Sequence, residues 1–363
     1  MVPDILVVGA GVFGLSVAEA AHRAGLTVRV LEADRPGGGA SGGFVGALTP
    51  HAPTRWRPMM AFQFAALNRL GDHVQRLGEQ SGIDTGYARI GRWTPIASER
   101  ALNRAEADVE AAPLVWGAHG SMRIEPPDAC PEVSGAAARY GFLFDDFSAR
   151  ISPRAYLSAL AAALPRGSVE TGRVLSVESG PVVRTEKDEF SAGHVVVAAG
   201  WRGWALLPEA LRGMGVKGQA ALLSGAPPDL PMITCDGLYI VPHADGTVAV
   251  GSTSEKRWTD PEPDGALEGV IARACAAVPA LAGAKVIERW AGIRPKPPGR
   301  EPVVGPVPGM PGIWLAGGGF KIGFGIAHAV GEAIVAAITG HPAPIPVPDT
   351  FTPACHIPGR ASR

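Results

Sequence analysis

One glycine-rich segment near the start of the chain limits the possible folds more than any other feature of the sequence. Residues 4 to 8 form a short, largely apolar run, residues 9 to 14 read Gly-Ala-Gly-Val-Phe-Gly, and residues 15 to 24 repeat apolar side chains at helical spacing. We therefore predict a strand, a tight glycine turn and a helix. In such a unit Gly9 permits the turn, Gly11 lets a pyrophosphate approach the backbone, and Gly14 lets the helix pack closely on the strand.

The residues after this unit strengthen a dinucleotide interpretation. A second strand is predicted from Thr27 to Leu31, and it ends at Glu32, 18 residues beyond Gly14. A carboxylate in that place accepts hydrogen bonds from the ribose hydroxyls of an adenosine. The alternative is a purely structural turn followed by an ordinary acid at a strand end. The expected nucleotide contacts are Gly9, Gly11, Val12, Phe13, Gly14, Glu32 and Ala33.

A second glycine-rich stretch follows the ribose-binding strand directly. Residues 36 to 43 read Pro-Gly-Gly-Gly-Ala-Ser-Gly-Gly. Their bare amides would line an isoalloxazine ring and a pyrophosphate, which favours FAD over NAD, with Ala40, Ser41, Gly42 and Gly43 as the candidate contacts. A flexible linker is the competing interpretation of this composition.

The remaining patterns predict an α/β protein of two interleaved domains. Amphipathic helices are predicted over 62–80 and 152–164, a buried parallel strand over 194–198, and strands of a mostly antiparallel sheet over 219–223, 237–242, 247–251 and 286–292. We expect a Rossmann-like FAD-binding domain from 1–86, 140–216 and 293–345, an α+β substrate-binding domain from 87–139 and 217–292, and a C-terminal tail over 346–363.

Charge and cysteine content exclude several classes of function. The chain has 33 basic and 34 acidic residues, which offers no footprint for a nucleic acid. Its cysteines, Cys130, Cys235, Cys275 and Cys355, are far apart and lack zinc-ligand spacing, so we expect reduced thiols in the cytoplasm and no metal site. No segment has the composition of a signal peptide or of a membrane span.

Over essentially its whole length the chain resembles the D-amino-acid oxidase superfamily of FAD enzymes, especially its glycine oxidase and sarcosine oxidase branch. The resemblance depends on the order of several motifs. They are the fingerprint of residues 9–14 with Glu32, Ala-Ser-Gly-Gly at 40–43, Ala-Ala-Gly-Trp at 198–201, Tyr-Ile-Val-Pro at 239–242, Trp-Ala-Gly-Ile-Arg-Pro at 290–295, and Gly-Gly-Phe-Lys at 318–321. The resemblance implies an extended FAD whose ring lies between the domains, with Val174 at the adenine end and Ala199, Gly200 and Trp201 as further contacts.

Oxidation of an amino acid requires a cation that anchors the substrate carboxylate, so that the α C–H bond points at the flavin. Arg294 ends a predicted strand and matches the carboxylate-binding arginine of the resembled family, although a surface arginine in a proline-rich turn is the alternative. The family match also implies that the Tyr239 phenol assists and that Lys321 is a carboxylate-binding lysine; Tyr239 could instead pack on a sheet. We include His51 as a further candidate, although a polar surface loop would also explain it.

The last glycine motif has an electrostatic role in this interpretation. Residues 317–319 are all glycine, Phe320 and Lys321 follow, and a helix is predicted from about 323 to 338. Amides at the start of that helix would stabilise negative charge on a reduced flavin. Gly317, Gly318, Gly319, Phe320, Lys321 and Arg294 are therefore also expected to contact the cofactor.

Two departures from the family pattern affect the expected chemistry. Sarcosine oxidases attach FAD through a cysteine on the strand before the proline-rich turn. No cysteine lies between Cys275 and Cys355 in this chain, so the comparison with that family implies noncovalent FAD. The strand at 247–251 reads Thr-Val-Ala-Val-Gly and lacks the lysine that sarcosine oxidases use with oxygen. We expect hydride transfer from a neutral amine to flavin N5 and hydrolysis of the imine, with O2 as acceptor. The alternatives are a dehydrogenase with a quinone or protein acceptor and a noncatalytic flavin-binding subunit; the sequence leaves the substrate and any homo-oligomer open.

Overall fold

The structure is a computed structural model that describes residues 2–227, 229–299 and 301–357. Residues 358–363 of the expected C-terminal tail lie outside these ranges. Along the described chain the α-helices are α1 Val12–Arg23, α2 Pro58–Ser81, α3 Glu99–Trp116, α4 Pro153–Ala162, α5 Ala266–Ala277 and α6 Gly323–Thr339. None of these helices is both long enough and apolar enough to cross a membrane.

The same described residues also form strands. In chain order they are β1 Ile5–Val8, β2 Val28–Glu32, β3 Ala47–Leu48, β4 Ala88–Arg89, β5 Arg92–Pro95, β6 Met122–Glu125, β7 Phe142–Asp145, β8 Ala149–Arg150, β9 Val169–Thr171, β10 Val174–Glu178, β11 Val182–Thr185, β12 Glu189–Ser191, β13 His194–Val197, β14 Met214–Ser224, β15 Ile233–Cys235, β16 Leu238–Pro242, β17 Val248–Gly251, β18 Lys285–Lys296, β19 Val303–Pro306 and β20 Ile313–Gly317.

A six-stranded sheet forms the nucleotide lobe, with the strand order β19, β20, β13, β1, β2 and β9. All neighbours are parallel except β19, which runs antiparallel at the edge. The prediction that residues 194–198 rejoin the first sheet is confirmed, because β13 lies directly beside β1. The helices α1, α2, α4 and α6 bury their apolar sides in the largest core cluster against this sheet.

The second lobe is built on an eight-stranded sheet ordered β18, β14, β17, β16, β15, β5, β7 and β6. Its pairs are antiparallel except for β15 with β5, so the prediction of a mostly antiparallel sheet is confirmed. Successive side chains of a strand point to opposite faces of the sheet, so the side chains of β14 pack in two different environments. Ala221 and Leu223 pack with α5 in one core cluster, whereas Ala220 packs with Phe44 of the nucleotide lobe in another.

The second sheet extends past the domain boundaries expected from the sequence. β7 and the first residues of β14 join it, and β18 continues through residue 296. β14 and β18 remain paired from Met214–Lys296 to Ser224–Lys285, so the ladder itself carries these strands across the boundaries. The helix α3 has no counterpart among the predicted elements, and it buries Trp116 in the nucleotide-lobe core. These elements connect the two lobes by continuous structure.

Candidate active site

The predicted glycine turn joins β1 to α1 and leaves no room for side chains. Gly9 has a φ of +102°, and a methyl group there would lie 2.8 Å from the carbonyl oxygen of Ala198. A methyl group on Gly14 would overlap the carbonyl oxygen of Gly9. The helix starts at Val12, immediately after Gly11, so its first amides point toward the turn. This local geometry is the one that a pyrophosphate site needs.

Two side chains hold the turn from the neighbouring segments. A carboxylate oxygen of Glu32 accepts a hydrogen bond from the amide of Ala10 at 2.7 Å, and the Ser41 hydroxyl accepts one from the amide of Val12 at 3.0 Å. Glu32 is partly buried and Ala33 is exposed at the end of β2. Since a carboxylate has about four lone-pair sites, Glu32 retains acceptor capacity for a ribose. The sequence-predicted residues of this half therefore lie together.

The segment from Ala40 to Val45 contacts the second lobe. The Trp290 indole lies over it, because a methyl group on Gly43 would be 3.0 Å from this ring. Arg154 donates to the carbonyl of Gly42 at 2.8 Å and forms a two-pronged ion pair with Glu288 of β18, at 2.8 and 2.6 Å. The second glycine stretch is thus a defined part of the interface.

The other expected cofactor contacts border the same nucleotide lobe. Ala199 and Gly200 follow β13, next to the Gly9 turn, and Gly200 has a φ of +59° with open space around its α carbon. Trp201 packs edge-on against Trp258, with 5.5 Å between ring centroids. Val174 starts β10 and packs, partly buried, against the apolar cluster that contains Leu31 at the end of β2. Ala199 and Gly200 therefore lie beside the glycine turn, and Val174 lies near the end of β2.

Arg294 projects from β18 across the neighbouring strand β14. Its guanidinium lies on the backbone of Gly218, where any methyl group would overlap it. Nη1 donates to the carbonyl of Thr253 at 3.1 Å, and Nη2 donates to the Ser252 hydroxyl at 2.8 Å. Burial lowers the pKa of Arg294 to about 10, with Glu255 opposing the shift, so the group remains a cation at neutral pH. Arg294 is therefore a fixed charge and not a surface arginine in a turn.

The last glycine motif faces the start of α1. A methyl group on Gly319 would lie 2.5 Å from the Phe13 ring, so the first and last motifs pack together. Lys321 is exposed, with its ammonium 5.7 Å from the centre of the Phe320 ring. Partial burial of the ammonium, followed by repulsion from Arg294, lowers the pKa of Lys321. The two cations are therefore close enough to repel each other.

Tyr239 and His51 occupy different surroundings. Tyr239 pairs with Gly251 in the β16–β17 ladder and, like Trp290, packs against the apolar cluster that contains Phe44 of the nucleotide lobe. The His51 ring hydrogen-bonds the side chain of the buried Gln63 on α2. Burial lowers the pKa of His51, and Gln63 opposes this. His51 is thus attached to the helical layer of the nucleotide lobe, whereas Tyr239 shares the sheet face of Arg294.

Sequence reasoning missed the residues that hold Arg294, namely Gly218, Ser252 and Thr253. The sequence does contain one signal for Gly218, because a glycine inside a strand often marks a close approach by another group. Gly218 pairs with Gly292 in the β14–β18 ladder. The Arg294 guanidinium fills the space of a side chain at Gly218, and the Trp290 ring fills that space at Gly292. The hydrogen bonds of Ser252 and Thr253 cross the sheet and have no local sequence signal.

The residues present fit FAD. The Gly9 and Gly14 close contacts leave the start of α1 bare, and the Glu32 carboxylate lies beside the turn. Gly39 and Gly200 have no heavy atom near the place of a β carbon. The glycine motifs at both ends of the chain meet at Phe13. This arrangement provides amides for the phosphates and an interface for a planar ring.

Comparisons with known proteins agree with the geometry. Residues 4–337 match the DAO family of FAD dependent oxidoreductases. Glycine oxidases of Pseudomonas putida and Pseudomonas aeruginosa are 32% and 30% identical, over 94% and 96% of this chain and 95% and 98% of theirs. The crystal structure of glycine oxidase from Geobacillus kaustophilus superimposes with a TM-score of 0.86 at 22% identity, over 98% of this chain and 99% of that one. The chain therefore belongs to the DAO family and is an FAD-dependent oxidoreductase of its glycine oxidase-like branch.

Proposed function

We propose that this protein oxidises the C–N bond of a small amino acid or secondary amine of the glycine, sarcosine or D-amino-acid type. The observation that carries the proposal is Arg294, a cation fixed by Gly218, Ser252 and Thr253 on the sheet face that meets the glycine-rich segment 40–45. A guanidinium offers five N–H donors, and two of these are used within the protein. The others suit a substrate carboxylate.

The other predicted site residues would assist Arg294 in different ways. Tyr239 lies on the same sheet face and would add a phenol to the carboxylate site. Lys321 adds a second positive charge near Arg294, which strengthens the preference for an acid over a simple amine. When bound, FAD supplies the acceptor for the hydride that leaves the substrate's α carbon. The amides at the start of α6 would favour negative charge nearby, and His51 acts at most through Gln63.

The cofactor is held noncovalently in this proposal. No cysteine occurs between Cys275 and Cys355, and Cys275 lies on α5, on the far side of the second sheet. Precipitation of the purified holoprotein with acid should therefore release all of its flavin into the supernatant. Flavin that stays with the precipitated protein would contradict noncovalent binding.

Molecular oxygen is the proposed acceptor, and a second candidate is a dehydrogenase that uses a quinone or a protein. One observation favours the second candidate: β17 carries no lysine, and the buried Lys217 of β14 is paired with Asp264 on the opposite sheet face from Arg294. Peroxide yield, compared with reduction of an artificial dye by the same preparation, separates the two. A peroxide yield equal to the substrate consumed supports the oxidase.

The deciding experiment mixes anaerobic holoprotein with glycine, sarcosine, D-amino acids, the proline isomers and N-alkyl glycines. We expect rapid bleaching of oxidised-flavin absorbance with one class of these amines. The matching amines that lack the carboxylate, such as methylamine and dimethylamine, are the controls, and they should bleach the flavin far more slowly. Fully flavinated protein that no amine reduces would refute the proposal and favour a noncatalytic flavin-binding subunit.

A further inference from the structure

Arg294 reaches its hydrogen-bond partners by passing over an entire strand. β18 carries the arginine, β14 lies beside it, and residues 252–255 continue on the far side of β14. Neighbouring strands are about 4.8 Å apart, so the side chain must extend nearly straight across β14. Gly218 is the β14 residue under the guanidinium, and its missing side chain opens this path.

The opposite face of β14 holds the segment that Arg294 reaches. Gln219 is fully buried, and its amide nitrogen donates to Glu255 at 3.0 Å and to Asp264 at 2.8 Å. The backbone amide of Gln219 donates to the Thr253 hydroxyl at 2.9 Å. Lys217, 1% exposed, donates to Asp264 at 2.6 Å. The segment 252–255 is therefore bound to β14 by buried polar contacts.

Resting on the proposed function, we infer that Gly218 and Ser252 are positioning residues that set the direction of the Arg294 guanidinium toward the substrate carboxylate. Gly218 acts through its absent side chain, and Ser252 acts as the acceptor for Nη2. The hydrogen bonds of Gln219 with Thr253 and Glu255 hold the segment that contains this acceptor against β14. A bidentate ion pair depends on the plane of the guanidinium, so a tilt weakens carboxylate binding even though the charge remains.

A purely structural role for Gly218 makes a different prediction. Gly292, its partner across the ladder, is equally intolerant of a side chain, because the Trp290 ring occupies that place. A structural glycine would affect folding in the same way at either position. A positioning glycine affects carboxylate binding only while Arg294 is present. This dependence on Arg294 separates the two roles.

The experiment uses flavin-loaded Gly218→Ala and Ser252→Ala, each made alone and in the Arg294→Ala background. Acetate is the probe, and its dissociation constant is measured from the perturbation of the flavin absorbance. We expect acetate to bind about 30-fold more weakly to Gly218→Ala and about 5-fold more weakly to Ser252→Ala, with no further loss in the Arg294→Ala background. Gly269→Ala on α5, where a methyl group meets open space, is the matched control and should bind acetate normally.

The outcomes distinguish this inference from the proposed function. The inference is overturned if Gly218→Ala binds acetate as tightly as the wild type, or if it loses the same affinity with and without Arg294. The proposed function still stands in either case if amines bleach the flavin. If Gly218→Ala does not fold, the Ser252→Ala cycle decides by the same criterion. If wild-type protein neither binds acetate nor is reduced, the proposed function fails. The inference then fails as well, because it concerns the binding of that carboxylate.

Discussion

Replacement of Arg294 by alanine is the perturbation whose cost is best defined by the structure. Two of the five guanidinium N–H groups are bound to Thr253 and Ser252, and the remaining three can offer one parallel pair to a carboxylate. Two charge-assisted hydrogen bonds in a partly buried site are worth about 2–4 kcal/mol after solvation is included. Arg294→Ala should therefore lower kcat/KM about 30- to 1000-fold, while FAD stays bound.

Anaerobic stopped-flow measurement of flavin reduction gives this ratio directly, with the substrate class found by the amine panel. Arg289→Ala is the matched control, since Arg289 lies on the same strand, is 47% exposed and pairs with Glu268 at 3.0 Å. That variant should react like the wild type, because an exposed ion pair contributes little. Added ethylguanidinium should restore part of the Arg294→Ala rate. Unchanged kcat/KM in Arg294→Ala would refute the assignment of Arg294 to the carboxylate.

Two further predictions concern the cofactor and the pH dependence of stability. Gly14→Ala should purify without FAD, because the methyl group overlaps Gly9 and displaces the turn; wild-type flavin content in the purified variant would contradict this. His73 and His328 are stacked in the core, and burial, above all other causes, lowers the pKa of His73 to about 2 and that of His328 to about 3. As the pH falls, the unfolded chain, whose histidines have pKa values of about 6.5, therefore takes up protons before the folded protein does. The free energy of unfolding has its full value above pH 6.5. Below that pH it falls by about 1.4 kcal/mol per pH unit for each histidine. Denaturant unfolding between pH 7 and pH 4.5 should show a shallower slope for His328→Leu, and equal slopes would exclude this origin.

The parts of the site that are contiguous in sequence could be predicted from it. The Gly9–Gly14 turn, the second strand ending at Glu32 and the glycines before α6 each form from neighbouring residues, so their patterns are readable without the fold. Arg294 was identified through its motif, and its place on the sheet facing the nucleotide lobe agrees with the role expected for it. Local backbone requirements are strong enough here to determine the residue type.

The contacts that fix the Arg294 guanidinium could not be predicted from the sequence, because they join residues far apart in the chain. Gly218, Ser252 and Arg294 meet only through the register of β14 with its two neighbours. A shift of one residue in that register would send Arg294 to the face of α5, and no local pattern specifies it. The helix α3 could not be predicted for a related reason: few of its residues are buried, Pro113 lies inside it, and its place depends on the tertiary packing of residues such as Trp116.

The strand order of the nucleotide lobe also determines when this protein can fold during its synthesis. β1 is complete after 8 residues, yet its partner β13 ends at residue 197 and β20, on the other side of β13, ends at residue 317. The helix α6, which covers α1, ends only at residue 339. The first lobe therefore cannot complete its core while the second is being made, although contacts within the second sheet can form earlier. A complete flavin site therefore cannot exist until the residues through Thr339 have left the ribosome, so cofactor binding can only follow the synthesis of α6.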